Sequence, residues 1–325
     1  MNVDSSRDGA LTGPDTESPV WAITAYFDPL ASGSRLEAYR QFRRHLKVPL
    51  VTVELSHRDG FDLEPADADI LISLRGGAVL WQKERLLNIA LRALPKSCDT
   101  VAWLDCDVAL TRADWYSAAR RLLNEFRLVQ PFSRLHYLDR SDAPASFVSR
   151  AGARSFESIA FQFARGTLPE DTFLNVGMSL RYRYAPGMAW VARRDLLDEC
   201  GGLYDAEILG YSDKLMFAAA CGRYDDVSKS AALNTAQCRH YRQWAERFHD
   251  RVRHRISYVS GDILHLWHGD VGTRRYIERR TGFERFAFEP ESDIRQNPDG
   301  VWCWNTDKPA MHSYLRRYFE SLNGR

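Results

Sequence analysis

No stretch of the 325 residues approaches the roughly 18 consecutive apolar positions that a membrane span requires, so any membrane association would be peripheral. No charge sign dominates either, with 44 Lys plus Arg against 43 Asp plus Glu. That balance excludes a global field steering the chain to nucleic acid or an acidic lipid surface and leaves only local attraction. The six cysteines, Cys98, Cys106, Cys200, Cys221, Cys238 and Cys303, form no C-x-x-C pair and no short extracellular framework, which points to reduced thiols and a cytoplasmic location. The N-terminal segment lacks the apolar core of an export signal; rich in Asp, Ser, Gly and Pro, it reads as a disordered lead over residues 1–19. There is no internal repeat and no linker rich in Gly, Ser or Pro, so one elaborated domain is expected rather than two separated ones.

What is present alternates between two periods. VWAITAYF (20–27), VPLVTVEL (48–55), DILISL (69–74) and TVAWL (100–104) have the β-branched and aromatic content of buried strands. Between them, SRLEAYRQFRRHL (34–46) and LWQKERLLNIALRAL (80–94) carry helical spacing, the second stopped by Pro95. This alternation predicts an α/β fold with a mostly parallel central sheet flanked by helices. The pattern loosens over 133–185, where long loops and short helices are expected. It returns with a strand and helix in GMAWVARRDLLDECGG (187–202), and with a helix in SDKLMFAAACG (212–222) that Ser212 would cap. SYVSGDILHLWHG (257–269) reads as one further strand and KPAMHSYLRRYFESL (308–322) as a closing helix.

The fourth strand ends in WLDCDVAL. Ligands of open parallel sheets sit beyond the carboxyl ends of the strands, and residues two apart on an extended chain project to the same side. Asp105 and Asp107 can therefore share one cation, for which oxygen ligands suit Mg²⁺ or Mn²⁺. The plainer alternative is that Asp105 caps the next helix and Asp107 is solvated.

WLDCDVAL resembles the D-x-D strand end of GT-A-type nucleotide-sugar glycosyltransferases, and three further segments match that superfamily in order. LWQKERLLN (80–88) resembles its nucleotide-contacting helix. GMAWVARRDLLDECGGLYDAEILGYSDKLM (187–216) resembles its acceptor-side carboxylate element, although Tyr211 and Ser212 depart from the fuller G-G-E-D pattern. HLWHG (265–269) resembles its late metal-binding histidine. The resemblance implies a GT-A-like domain over 20–285, with a nucleotide-binding half (20–132) and an acceptor half (133–285), followed by a C-terminal extension over 286–325.

It also implies roles. Asp107 would hold the metal, and Asp105 either the metal or the ribose and sugar hydroxyls. His265 and His268 are candidate further ligands, of which only one is expected to bind because the two would face opposite ways on a strand. Lys83 and Asn88 would touch diphosphate or base. Thr24, Asp28 and Glu54, at the ends of the first two strands, are placed to receive base and ribose, or are ordinary loop residues. Trp190 either stacks on a sugar ring or belongs to the core. Asp213, at a helix start behind a glycine turn, is the expected base of an inverting transfer; the alternative is a helix-end carboxylate with no chemistry.

The expected partners are a nucleotide-sugar donor, with UDP as the expected nucleotide, and a glycan, lipid-linked or other hydroxyl acceptor. The arginine-rich RHYRQWAERFHDRVRHR (239–255) sets Trp244, Phe248 and Val252 on one stripe. It reads as a surface helix packed through that stripe, or as a peripheral contact with the inner face of a membrane. Two other functions stay open: a catalytically silent sugar-nucleotide or glycan binder, and a haloacid-dehalogenase-type phosphatase. For the phosphatase, Ala109 stands where Thr or Val is usual, and GDILHL (261–266) does not supply the later acidic pair.

Overall fold

The computed structural model describes residues 19–28, 33–142, 144, 154–174, 184–269, 280 and 282–321. A seven-stranded sheet in the order β10-β6-β9-β4-β1-β2-β3 forms the centre. Its strands are β1 (Trp21–Phe27), β2 (Leu50–Ser56), β3 (Ile70–Arg75), β4 (Thr100–Leu104), β6 (Leu128–Gln130), β9 (Ala189–Arg193) and β10 (Ile256–Tyr258). All neighbours pair in parallel except β9, which runs antiparallel to both β4 and β6. The sheet thus joins strands from both halves of the chain.

Every residue of β2 and of β4 is buried, as expected for a sheet covered on both faces. The pleat sends alternate side chains to opposite cores. Val101 and Trp103 join a core with α2 (Lys83–Ala93), α5 (Arg194–Cys200), α6 (Ser212–Ala220), α7 (Tyr224–Ser230) and α8 (Thr235–Val252). Ala102 and Leu104 face the other way, onto α1 (Ser34–His45) and α3 (Trp115–Leu122).

A second sheet, ordered β5-β11-β7-β8, stands beside the carboxyl end of β4. It comprises β5 (Val108–Leu110), β7 (Arg134–Tyr137), β8 (Ser155–Glu157) and β11 (Asp262–His265), with α4 (Ile159–Ala164) following β8. The single strand expected over 257–269 is therefore two strands in two sheets. Gly261, at φ +150°, turns the chain between them, and its carbonyl accepts from Ser133 N–H and Oγ.

Past residue 286, a short helix Pro290–Asp293, a hairpin of β12 (Ile294–Gln296) and β13 (Trp302–Trp304), and a helix Pro309–Ser321 complete the described chain. This segment packs against α2. Trp302 N–H donates to Gln82 Oε1 at 2.8 Å and Arg85 Nε to the Gly300 carbonyl at 2.6 Å, while Met311 and Leu315 enter the α2-side core.

The stripe on α8 is fully used by the fold. Tyr241, Trp244, Phe248 and Val252 are buried, and Trp244 Nε1 donates to the Gly202 carbonyl. On the outer face Arg242 pairs with Asp225 and Glu246, Arg251 with Glu199 and Arg239 with Glu291. Among the described residues no helix is long and apolar enough to cross a membrane.

Candidate active site

β4 stops at Leu104, so the two aspartates lie past its end rather than on it. Thr24 Oγ1 donates to the Leu104 carbonyl at 2.7 Å and seals the strand end to β1. The Asp105 N–H then donates to the Met188 carbonyl at 2.8 Å, and the Asp107 carbonyl accepts from Leu266 N–H at 2.8 Å. Met188 sits at φ +75°, a left-handed conformation that costs a side-chain-bearing residue about 1–3 kcal/mol and collects at functional sites. Because the backbone is turning here, the same-side projection expected of an extended chain does not apply. Asp105 and Asp107 take different partners.

Asp107 joins the histidines. One ligand atom each from Asp107, His265 and His268 lies within 4.8 Å of the others, the one such grouping among the described residues. β5 begins at Val108, which pairs directly with His265 in antiparallel register, so the two sheet ends bring Asp107 and His265 together. β11 ends at His265, and the chain past it folds back to bring His268 Nε2 within 2.9 Å of Asp107 Oδ2. Both histidines therefore converge. The expectation that only one would bind assumed that the strand continued. The rings pack in a tilted row, with Tyr137 4.8 Å from His265 and His265 5.2 Å from His268.

One carboxylate oxygen and two imidazole nitrogens, largely buried, fit a divalent ion. Asp105 lies outside this grouping.

Asp105 instead belongs to a charge bridge. Lys83 Nζ, in the first turn of α2, lies 3.1 Å from Asp105 Oδ1 and 2.9 Å from Asp213 Oδ2, with Glu84 Oε1 at 3.6 Å. Burial alone would lower the Lys83 ammonium, but the attraction of Asp105, Asp213 and Glu84 outweighs it and holds the group charged well above its ordinary range. Burial pushes the Asp105 carboxyl up to about 6, against the pull of Lys83 and with the repulsion of Asp213 and Asp107. Glu84 is pushed up to about 7, again chiefly by burial.

Asp213 lies in the first turn of α6. Ser212 is the first residue of that helix rather than its cap, a position taken by Tyr211 without a side-chain bond. The Asp213 carboxylate rests against Gly187, where an added Cβ would stand 2.5 Å from Oδ2.

Four of the remaining candidates are taken up by contacts inside the protein. Trp190 is fully buried in β9, packs on Phe217 and donates through Nε1 to the Pro186 carbonyl, so it has no face for a sugar ring. Thr24 is fully buried at its strand clamp. Glu54 is buried with both carboxylate oxygens engaged, accepting from Asp62 N–H at 2.6 Å and Leu63 N–H at 3.2 Å. Asn88 is turned away from Lys83 and braces Leu203 through its N–H and carbonyl, and Asp205 through its carboxylate. An N–H or carboxylate occupied inside the protein is not offered to a nucleotide. Asp28 lies just past β1 and is largely buried; the Arg58 guanidinium is raised chiefly by its hydrogen bond to Asp62, with Asp28 a minor contributor.

Three contributors escaped sequence reading. Gly187 matters for the space it leaves, Tyr137 for a ring contact with His265 and Glu84 for burial. None of these has a spacing signature; only Gly187, which opens GMAWVA, was visible as a residue type.

No family model matches the sequence, and comparison with curated proteins finds no match. Among solved structures, the chain is similar to glucosyl-3-phosphoglycerate synthase from Mycobacterium tuberculosis in complex with Mn²⁺, UDP and glucosyl-3-phosphoglycerate, at TM-score 0.40 and 12% identity over 85% of this chain and 84% of that one. It is similar to the mannosyltransferase PcManGT from Pyrobaculum calidifontis in complex with GDP-Man and Mn²⁺, at TM-score 0.39 and 13% identity over 98% and 76% of the two chains. It is also similar to S. aureus TarS in complex with UDP-GlcNAc, at TM-score 0.38 and 9% identity over 93% and 72%.

Proposed function

We propose that this chain is a metal-dependent glycosyltransferase that moves a sugar from a nucleoside diphosphate sugar, with UDP as the nucleotide, to a hydroxyl of a glycan or lipid-linked acceptor with inversion. The observation that carries the proposal is the division of the D-x-D pair: Asp107 enters a metal-ligand set with His265 and His268, while Asp105 is bridged through Lys83 to Asp213. One site thus offers a place for a cation, a fixed ammonium and a carboxylate.

Asp107, His265 and His268 would hold Mn²⁺, which when bound supplies a Lewis acid for charge on a leaving diphosphate. Lys83 adds a positive charge that needs no reorganisation, because its neighbours already hold it in place. Asp213 receives the proton of the acceptor hydroxyl as that oxygen forms its bond to the anomeric carbon and the bond to the diphosphate oxygen breaks. Attack opposite the leaving group inverts the anomeric centre. Asp105 remains beside Lys83 to accept from donor hydroxyls, as the resemblance to GT-A enzymes suggests.

The six free cysteines suit a reducing, cytoplasmic setting. A phosphatase would use Asp107 as a proton donor, and its 2.9 Å contact with His268 favours the ligand role instead. A silent binder would share the whole arrangement and differ only in turnover.

The test is a panel of sugar nucleotides with Mn²⁺, read as Mn²⁺-dependent binding and as nucleotide release with and without hydroxyl acceptors. Release that depends on acceptor is expected, with product configuration read by NMR. Binding without release would indicate the silent binder, and the absence of Mn²⁺-dependent binding for every donor would sink the proposal.

A further inference from the structure

The loop that precedes Asp213 is fastened on two sides. On the first, it is zipped to α2. Asn88 exchanges two hydrogen bonds with Leu203, Arg85 Nη1 and Asn88 Nδ2 both donate to Asp205 Oδ2 at 2.9 Å, and the Trp81 N–H donates to the Ile208 carbonyl at 3.3 Å. These contacts tie the chain just before Asp213 to the helix that carries Lys83. On the second side stands a charge pair that the chemistry above does not use. Arg280 Nη2 lies 2.7 Å from Glu207 Oε1, with both side chains at or below 5% exposure.

The other oxygen of Glu207 gathers the turn itself, accepting from Leu209 N–H at 3.2 Å and Tyr211 N–H at 2.7 Å across Gly210, which sits at φ +76°. Arg280 Nη1 donates to the Ala231 carbonyl at the end of α7, and its guanidinium lies 4.1 Å over the Tyr211 ring. Tyr211 is the residue immediately before α6, which opens Ser212-Asp213. The pair therefore holds, from the side of α7, the turn that sets the angle of the base-bearing helix.

A buried ion pair is a poor device for stability alone, because removing two charges from water offsets most of their attraction. What it supplies is direction: a planar guanidinium with fixed donors and a carboxylate with fixed acceptors. We infer that Arg280 is a positioning residue which, through Glu207 and Tyr211, sets the first turn of α6 so that the Asp213 carboxylate meets Lys83 and faces the acceptor. This deepens the glycosyltransferase reading and rests on it for its kinetic consequence. The mechanical part, that the pair orders the turn, stands on its own.

The test uses the full chain and two variants. Arg280→Met leaves Glu207 as a lone buried charge and is expected to lower the melting temperature. The double variant Glu207→Gln with Arg280→Met removes both charges and should regain much of that loss. In the double variant, amides of residues 209–215 should exchange hydrogen for deuterium at least about tenfold faster than in the wild type, with β4 and β11 unchanged. Turnover with donor and acceptor should stay at least about tenfold low while Mn²⁺-nucleotide affinity holds within about twofold, since a misplaced group of this kind costs rate rather than donor binding.

Recovery of both stability and turnover in the double variant, or unchanged exchange in 209–215, would overturn the inference. Faster exchange in the double variant, together with no turnover of the wild-type protein with any donor, would refute the enzymatic reading while leaving the clamp intact.

Discussion

Lys83 and Asp213 stand 130 positions apart in the chain, and their charged atoms meet at 2.9 Å. α2 delivers the first from its opening turn and α6 the second from its own. Through Lys83 that contact links Asp105, past the end of β4, to Asp213 on α6, and removing a single charge there is expected to separate binding from chemistry.

Asp213→Asn keeps the size of the side chain and a carbonyl oxygen toward Lys83 but removes the proton acceptor. Mn²⁺-dependent nucleotide binding should persist and turnover should fall by about 10²–10⁴-fold, measured by isothermal titration and nucleotide release. Full turnover in this variant would end the assignment of Asp213 as base. Lys83→Met should weaken nucleotide binding as well, because it removes the fixed cation and leaves two carboxylates facing each other.

Mn²⁺ at a hundred times its dissociation constant should stabilise the protein by about 2.7 kcal/mol. Asp107→Ala or His265→Ala should abolish that gain in a thermal-shift titration, and chelation should reverse it in the wild type. Mg²⁺ should stabilise less than Mn²⁺, given two imidazole ligands. Equal responses to both ions, or retention of the Mn²⁺ response in Asp107→Ala, would place the metal elsewhere.

Gly187→Ala is a steric probe that touches no charge. Its Cβ would lie 2.5 Å from Asp213 Oδ2 and 2.9 Å from Cγ, so the carboxylate has to shift. Turnover should drop by about tenfold or more with the metal response intact. A variant as active as wild type would show that Asp213 need not occupy the position seen here.

Glu84 gives the protein a pH signature. Its carboxyl is pushed by burial from 4.5 up to about 7 in the folded state. Between those values the unfolded chain has released its proton and the folded one has not, so stability present below the lower value is lost as pH rises through the upper one. The loss amounts to about 3 kcal/mol at most. Urea midpoints at pH 5 and pH 8 should fall more for the wild type than for Glu84→Gln. Parallel behaviour of the two proteins would remove Glu84 as the cause.

The alternation of buried strands with amphipathic helices was legible in the chain, because burial on both faces demands near-continuous apolar runs such as TVAWL, and those runs are local. The aspartates after β4 and the histidines near 265 were legible as residue types at a strand end. Their partners were not. Thr24, Glu54, Asn88 and Trp190 occupy suggestive places in the sequence, yet each is consumed by an internal contact, Glu54 by the nearby Leu63 and the others by residues from remote segments, Leu104, Leu203 and Phe217 respectively.

The sequence by itself determined that an α/β sheet would end one of its central strands in acid, since periodicity and side-chain chemistry are properties of neighbours along the chain. Only the tertiary structure decided that the two acids part company, Asp107 to the histidines and Asp105 to Lys83. The physical reason is that strand ends, where the backbone leaves its regular repeat, take their direction from whatever packs against them. Here those supports are β11, the turn at Gly187 and Met188, and the first turns of α2 and α6.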